Sequence, residues 1–269
     1  EQFKKLEVNI NFLQLDNNLP TRIVKVNRDT HGDRYFSGFD TSLNEVFADE
    51  AFDINLIEKE IKSLEKLFLK TKYLVCGTNI LTSSISTKSI FFLLSLANKF
   101  DVKIIIDLNW REVFWDYAAF SAQISNEERV DLITHFLNQA HILKLAKEEA
   151  ILFFENEDPL QISQMISTRP DVIITDGANP ISWFINSVQG TTEVINSSKI
   201  IDTTGAGDAF LAGLISKLIF FDVPPNETEI QNCVRFASIC GLLTCLGEGA
   251  IEQQPDYLQV KEFFDSQIL

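Results

Sequence analysis

The stretch whose residue types could most directly do chemistry is Asp202-Thr-Thr204-Gly205-Ala206-Gly207-Asp208-Ala-Phe210-Leu-Ala-Gly213. Gly205 and Gly207 admit backbone conformations closed to other residues, so consecutive N–H groups can point at one anion. An apolar helical pattern opens at Ala206 and adds the positive end of a helix dipole. Such a nest suits the negative charge that develops on a transferring phosphoryl group. Asp208, in the first helical turn, could take a proton from an attacking hydroxyl. Two familiar phosphate motifs fail: no GxxxxGK[ST] string exists, and GxGxxG breaks at Phe210. Gly-Ala-Gly by itself would equally suit a tight strand-to-helix turn with Asp208 as a helix-terminal carboxylate.

The elements that must position this turn follow from periodicity. Helical spacing over 55–70 precedes a short apolar strand over 73–76, and the unit repeats. Helices are expected over 86–100, 126–139 and 160–167, with strands over 102–107, 141–145 and 171–175. Short strands alternating with helices of ten or so residues imply an α/β fold whose parallel sheet is covered on both faces. Strands over 181–185 and 191–195 come next, then a helix over 206–220. Pro224-Pro225 breaks the chain, and Asn226 is placed to cap a helix over 228–246. Ahead of these units, 21–26 and 34–39 read as a hairpin around a turn at 31–33. In open α/β sheets ligands bind beyond the carboxyl ends of strands. The polar strand ends at 77–79, 107–111, 144–149 and 175–177 are therefore expected to face the glycine turn.

Composition narrows the partners. The 269 residues carry 38 acidic and 23 basic side chains, a net charge of −15, which disfavours phosphate backbones and hence nucleic acid. Cys76, Cys233, Cys240 and Cys245 lie in apolar stretches without CxxC spacing and read as free structural thiols of a reducing compartment. No apolar run reaches the roughly 18 residues that cross a bilayer, and no signal peptide is visible. A cytoplasmic protein without membrane contact is expected. The chain opens at Glu1 with Met165 its only methionine, so further residues are expected upstream.

The whole string 202–213 resembles the C-terminal signature of the PfkB, or ribokinase-like, carbohydrate kinases. The likeness extends along the chain. Pro20-Thr-Arg22 with Gly32-Asp33-Arg34 resembles the family's lid, and Asp107-Leu-Asn109-Trp-Arg111 its Asp-x-Asn-x-Arg strand end. Lys144-Leu-Ala146-Lys-Glu-Glu149 is similar to its Asn-x-x-Glu segment, and Gly247-Glu-Gly-Ala-Ile251 to the loop beside the adenine pocket. Fructokinase-like members are the most similar. The resemblance implies a three-layer α/β/α sandwich with a mostly parallel central sheet. It implies a single kinase domain over 1–269, N-terminally incomplete, with 20–40 contributing to a small β lid. The family's substrate aspartate and Gly-Gly-Asn sugar motif have no counterpart in the chain.

The activity so implied is ATP-dependent phosphorylation of a primary sugar hydroxyl, fructose first. The alternatives are ribose, a nucleoside, a ketodeoxy sugar acid, or a kinase-like protein that only binds. Asp208 would be the base at the substrate, and the backbone of Gly205, Ala206 and Gly207 the anion hole. Arg111 would approach substrate or phosphate, with Asn109 and Asp107 orienting its loop. Lys144, Thr175, Gly177, Thr204, Ser238 and Gly247 would meet the nucleotide. Glu149 would organise magnesium through water, although Ala146 replaces the family asparagine, and Asp202 with Thr204 would hold a monovalent cation such as potassium. Ala178-Asn179-Pro180 replaces a usual glycine and is expected to make an irregular loop. Trp110, Phe114 and Trp115 read as packing residues. Lid strands over 21–39 imply a homodimer.

Overall fold

β-branched runs bounded by turns and serine-capped helices set the local structure, and the computed structural model describes residues 2–28, 34–39, 46–115 and 125–266. The chain divides into two compact units, Glu1–Ile105 with Asn109–Gln139, and Ile106–Leu108 with Ala140–Leu269.

In the first unit, helix α1 (Gln2–Lys5) precedes strands β1 (Val24–Arg28) and β2 (Arg34–Phe39). These pair antiparallel from Val24↔Phe39 to Arg28↔Arg34, with a bulge at Lys25/Val26. The expected hairpin is present, its first strand starting three residues later and ending two later, and the turn carrying Gly32 and Asp33 lies outside the described residues. The helix expected over 55–70 is two helices, α2 (Ile54–Lys59) and α3 (Ile61–Phe68), separated at Glu60 with φ −101° and ψ 11°. Ile57 of α2 and Leu64 and Phe68 of α3, spaced i, i+7 and i+11, are the buried residues of the pair.

Strand β3 (Tyr73–Gly77) leads into helix α4 (Ser84–Lys99). Ser83, Ser86 and Ser89 recur every three residues along one face, and their hydroxyls donate to the carbonyls of Glu50, Asp49 and Phe52 at 2.5, 3.0 and 2.5 Å. The serine stripe therefore fastens α4 to the turn before α2. In the same unit the buried Arg22 guanidinium lies over the rings of Phe47 and Phe114 and pairs with Asp49 and Glu50 at 3.0 and 3.1 Å. Trp110 stacks on the buried Trp115, so the packing role expected for these aromatics holds. Helix α5 (Asn126–Leu137) opens on a Ser125/Glu128 capping box.

Strand β4 (Lys103–Asp107) starts beside β3 and ends in the second unit. There the sheet continues β4, β5 (Ile142–Ala146), β6 (Asp171–Asp176), β7 (Asn179–Ile185), β8 (Val188–Thr192). Between β5 and β6 run helices α6 (Lys147–Phe154) and α7 (Pro159–Met165), the crossover that a parallel pair needs. β5 and β6 are parallel, with Ala146 level with Thr175, whereas β7 and β8 return antiparallel.

Two expectations need correction here. The 178–180 segment is not an irregular loop: Gly177 and Ala178 form a two-residue turn, and Asn179 and Pro180 already belong to β7. Gly177 has φ +55°, the conformation such a turn demands, so the single glycine suffices. The strand expected over 191–195 is Val188–Thr192. Asn186 and Ser187, with φ +51° and +64°, make the tight turn that fixes this register. Trp183 is fully buried on β7, its indole N–H donating to Thr192 Oγ1 at 3.0 Å.

Helices α8 (Ala206–Leu218), α9 (Glu227–Thr244) and α10 (Tyr257–Ser266) complete the unit. Asn226 caps α9 as expected, in a box with Glu229. α8 and α9 approach closely: a Cβ on Gly213 would stand 2.6 Å from Cys240 Sγ, and one on Gly241 3.1 Å from the Ala206 carbonyl. That contact brings the last turn of α9 onto the first turn of α8. All four cysteines are free thiols, and burial pushes that of Cys240 up to about 11.

Candidate active site

Helix α8 begins where the chain passes through Gly205 at φ +79°, ψ −1°. A Cβ there would also meet the Ala250 carbonyl oxygen at 2.9 Å and its Cα at 3.0 Å. Glycine thus meets two demands at once, a left-handed backbone and close packing on the 247–251 loop. Asp202 joins the same two segments. Its Oδ1 accepts from the Thr204 N–H at 3.0 Å and hydroxyl at 2.6 Å, while Oδ2 accepts from the Gly249 N–H at 3.2 Å. Gly205→Ala is expected to lower stability by about 1–3 kcal/mol through the positive φ and the lost packing distance. Equilibrium unfolding measures it, and an unchanged midpoint would contradict the close approach.

Asp208 stands exposed in the first turn of α8. Beneath the same turn, Lys144 projects from β5. It is buried, and its Nζ donates to both carboxylate oxygens of Asp107, at 3.1 and 3.0 Å. A Cβ on Gly207 would lie 2.9 Å from that Nζ. The ammonium therefore lies against the glycine nest, where a side chain at 207 would displace it. At the start of α6, Glu149 is buried and its Oε2 accepts from the Ala146 N–H at 2.8 Å, satisfying one helix-end donor. Beside it, Lys147 bridges Asp176 and Glu157 at 3.2 Å each, and those hydrogen bonds hold its ammonium above the usual lysine range.

Next to the nest opens a cavity of about 390 Å³. Thr175 and Gly177 at the end of β6 line it, with Ala206 and Gly207 of the nest and Ser238 of α9. Ile181, Val194, Ile195, Phe210 and Leu242 make its walls predominantly apolar, the character of small-molecule and cofactor pockets in general.

The second unit thus brings together Asp202, Thr204, Gly205, Ala206, Gly207, Asp208 and Lys144, with Thr175, Gly177 and Ser238 at the adjoining cavity. Gly247 packs against the Gln253 side chain and is not part of the cavity wall. Asn109, at φ +44°, and Arg111, whose Nη1 donates to the Trp110 carbonyl at 2.8 Å, belong to the first unit. Sequence reasoning passed over the pairing of Asp107 with Lys144. A carboxylate closing one apolar strand and a lysine inside the next were the available signal, since such charges are buried only when paired. The apolar wall was legible only as Val194-Ile195 and the core face of α9.

The sequence profile of the pfkB family carbohydrate kinases matches residues 1–256. The chain belongs to this family. It is 27% identical over 165 residues to "Probable fructokinase-3" of Arabidopsis thaliana, a match covering 60% of this chain and 45% of that protein. The chain thus spans under half the length of this pfkB relative. Among solved structures, fructokinase with bound ATP from Xylella fastidiosa superposes with a TM-score of 0.82 at 21% identity, over 99% of this chain and 80% of that one. Aminoimidazole riboside kinase from Salmonella enterica, complexed with aminoimidazole riboside and an ATP analogue, gives 0.73 at 18%, over 97% and 79%. The pfkB member described above therefore has the ribokinase-like α/β fold. Among the described residues no helix is long and apolar enough to cross a membrane.

Proposed function

We propose that this pfkB member carries the nucleotide site and phosphoryl-transfer machinery of an ATP-dependent sugar kinase, with fructose as acceptor. The observation behind the reading is the meeting, within one unit, of the Gly205–Gly207 turn, the Lys144 ammonium against it, Asp208 in the helical turn that follows, and an apolar cavity lined by Ala206 and Gly207. In this reading adenine enters the cavity beside Thr175, Gly177 and Ser238, and the phosphates run toward the nest. Asp208 accepts the proton of the sugar's primary hydroxyl as its oxygen bonds to the γ-phosphorus and the bond to the ADP oxygen breaks. The nest N–H groups and Lys144 take up the charge on the transferring group.

Among the described residues no group of three or more His, Cys, Asp or Glu side chains is placed to hold a metal unaided. Magnesium commonly arrives on phosphates and needs only one or two carboxylates, a demand Glu149 fits. When bound it would neutralise phosphate charge. The oxygens of Asp202 already accept three hydrogen bonds, the arrangement of a turn staple, and no step is assigned to potassium there.

A coupled ADP assay on the complete protein, with fructose, ribose, a nucleoside and a ketodeoxy sugar acid side by side, tests the reading. Fructose is expected to give the highest kcat/KM. Preference for a riboside, the acceptor class favoured by the likeness to the Salmonella enterica kinase, would move the proposal to that substrate. ATP binding without ADP release on any acceptor would leave a binding protein.

A further inference from the structure

The buried pair of Asp107 and Lys144 does more than satisfy two charges. The ammonium has three N–H groups. It donates to both Asp107 oxygens, at 3.1 and 3.0 Å, and among the described residues it has no other partner. The ion also lies where a Cβ of Gly207 would stand 2.9 Å away, against the amino end of α8. Both charged side chains are about nine-tenths buried, so water screens neither.

We propose that Asp107 is a positioning residue that restrains Lys144, aiming one N–H at the phosphate nest while weakening the ammonium's hold on bound nucleotide. The inference rests on the assignment of Lys144 to the nucleotide phosphates. A buried ammonium at a helix amino end would grip phosphates tightly both before and after transfer. Such uniform binding slows product release without favouring the transition state. A carboxylate on the far side of the ammonium removes part of that grip and fixes the direction of what remains. Asp107 touches no substrate in this scheme. It acts through Lys144.

The test is a cycle of three variants of the full chain, read by ADP affinity in calorimetry and by kcat. Lys144→Met is expected to weaken ADP binding about tenfold, the scale of one charge-assisted contact. Asp107→Asn, which keeps an acceptor for the ammonium but removes the charge, is expected to tighten ADP binding about tenfold and to lower kcat. The double variant should bind ADP as Lys144→Met does, because Asp107 acts only when the lysine is present. Unchanged or weakened ADP binding in Asp107→Asn, beside a weakened Lys144→Met, would overturn the restraint and leave the nucleotide site standing. Unchanged ADP binding in Lys144→Met would instead remove the phosphate role of the lysine, and the restraint with it. If Asp107→Asn does not accumulate folded protein, Asp107→Glu decides: it keeps the charge but misplaces it, so ADP affinity should stay within about twofold while kcat falls. An unchanged kcat in that variant would overturn the positioning role.

Discussion

Asp208→Asn is expected to lower sugar-dependent ADP release by about 10²- to 10⁴-fold, the usual contribution of a positioned general base. The substitution keeps size and shape, so the first turn of α8 should form as before. An amide cannot accept the hydroxyl proton as the sugar oxygen attacks, and that step alone is lost. Asp208 is exposed at the mouth of the site and lines no part of the cavity, so ATP affinity should stay close to that of the parent. The informative comparison is therefore kcat against nucleotide Kd in the same preparation. Parent-like turnover would remove Asp208 from its role. A parallel collapse of ATP affinity would mean that the variant damaged the nest rather than the proton transfer.

The second large effect concerns stability. Asp107→Ala strands the Lys144 ammonium in a site where, among the described residues, the carboxylate is its partner, and is expected to cost about 3–5 kcal/mol. Replacing both, as Asp107→Leu with Lys144→Met, should recover most of that loss, because well-packed apolar residues often match a buried ion pair. Urea unfolding of the parent, the single and the double variant measures the cycle. Recovery of stability with loss of turnover would mean that the pair is retained for the nucleotide site and not for the fold. A double variant no more stable than Asp107→Ala would instead make the pair an architectural requirement.

Legibility differed by element for physical reasons. Strands β4, β5 and β6 and helices α8 and α9 lie within two residues of their expected bounds, since short, mainly apolar strands and helices that open at a glycine turn or an asparagine cap announce their ends. The break at Glu60 was not legible, because Ile57, Leu64 and Phe68 keep one helical face across it and no glycine or proline marks the bend. β8 was misplaced by three residues at its start because Asn186-Ser187 carries no glycine, although asparagine tolerates the left-handed conformation the turn requires.

The glycine string itself determined the left-handed turn at Gly205, the helix that starts there and the carboxylate in its first turn, because each follows from local backbone freedom and helix-end electrostatics. Family membership was equally legible in that string. Tertiary structure alone decided that Lys144 lies against Gly207 with Asp107 behind it, since those residues are 63 and 37 positions from Lys144. It also decided that residues of β6, β7, α8 and α9 close one apolar cavity beside the nest. A local pattern can fix a turn, but a charge 37 residues away finds its partner only through the packing of neighbouring strands.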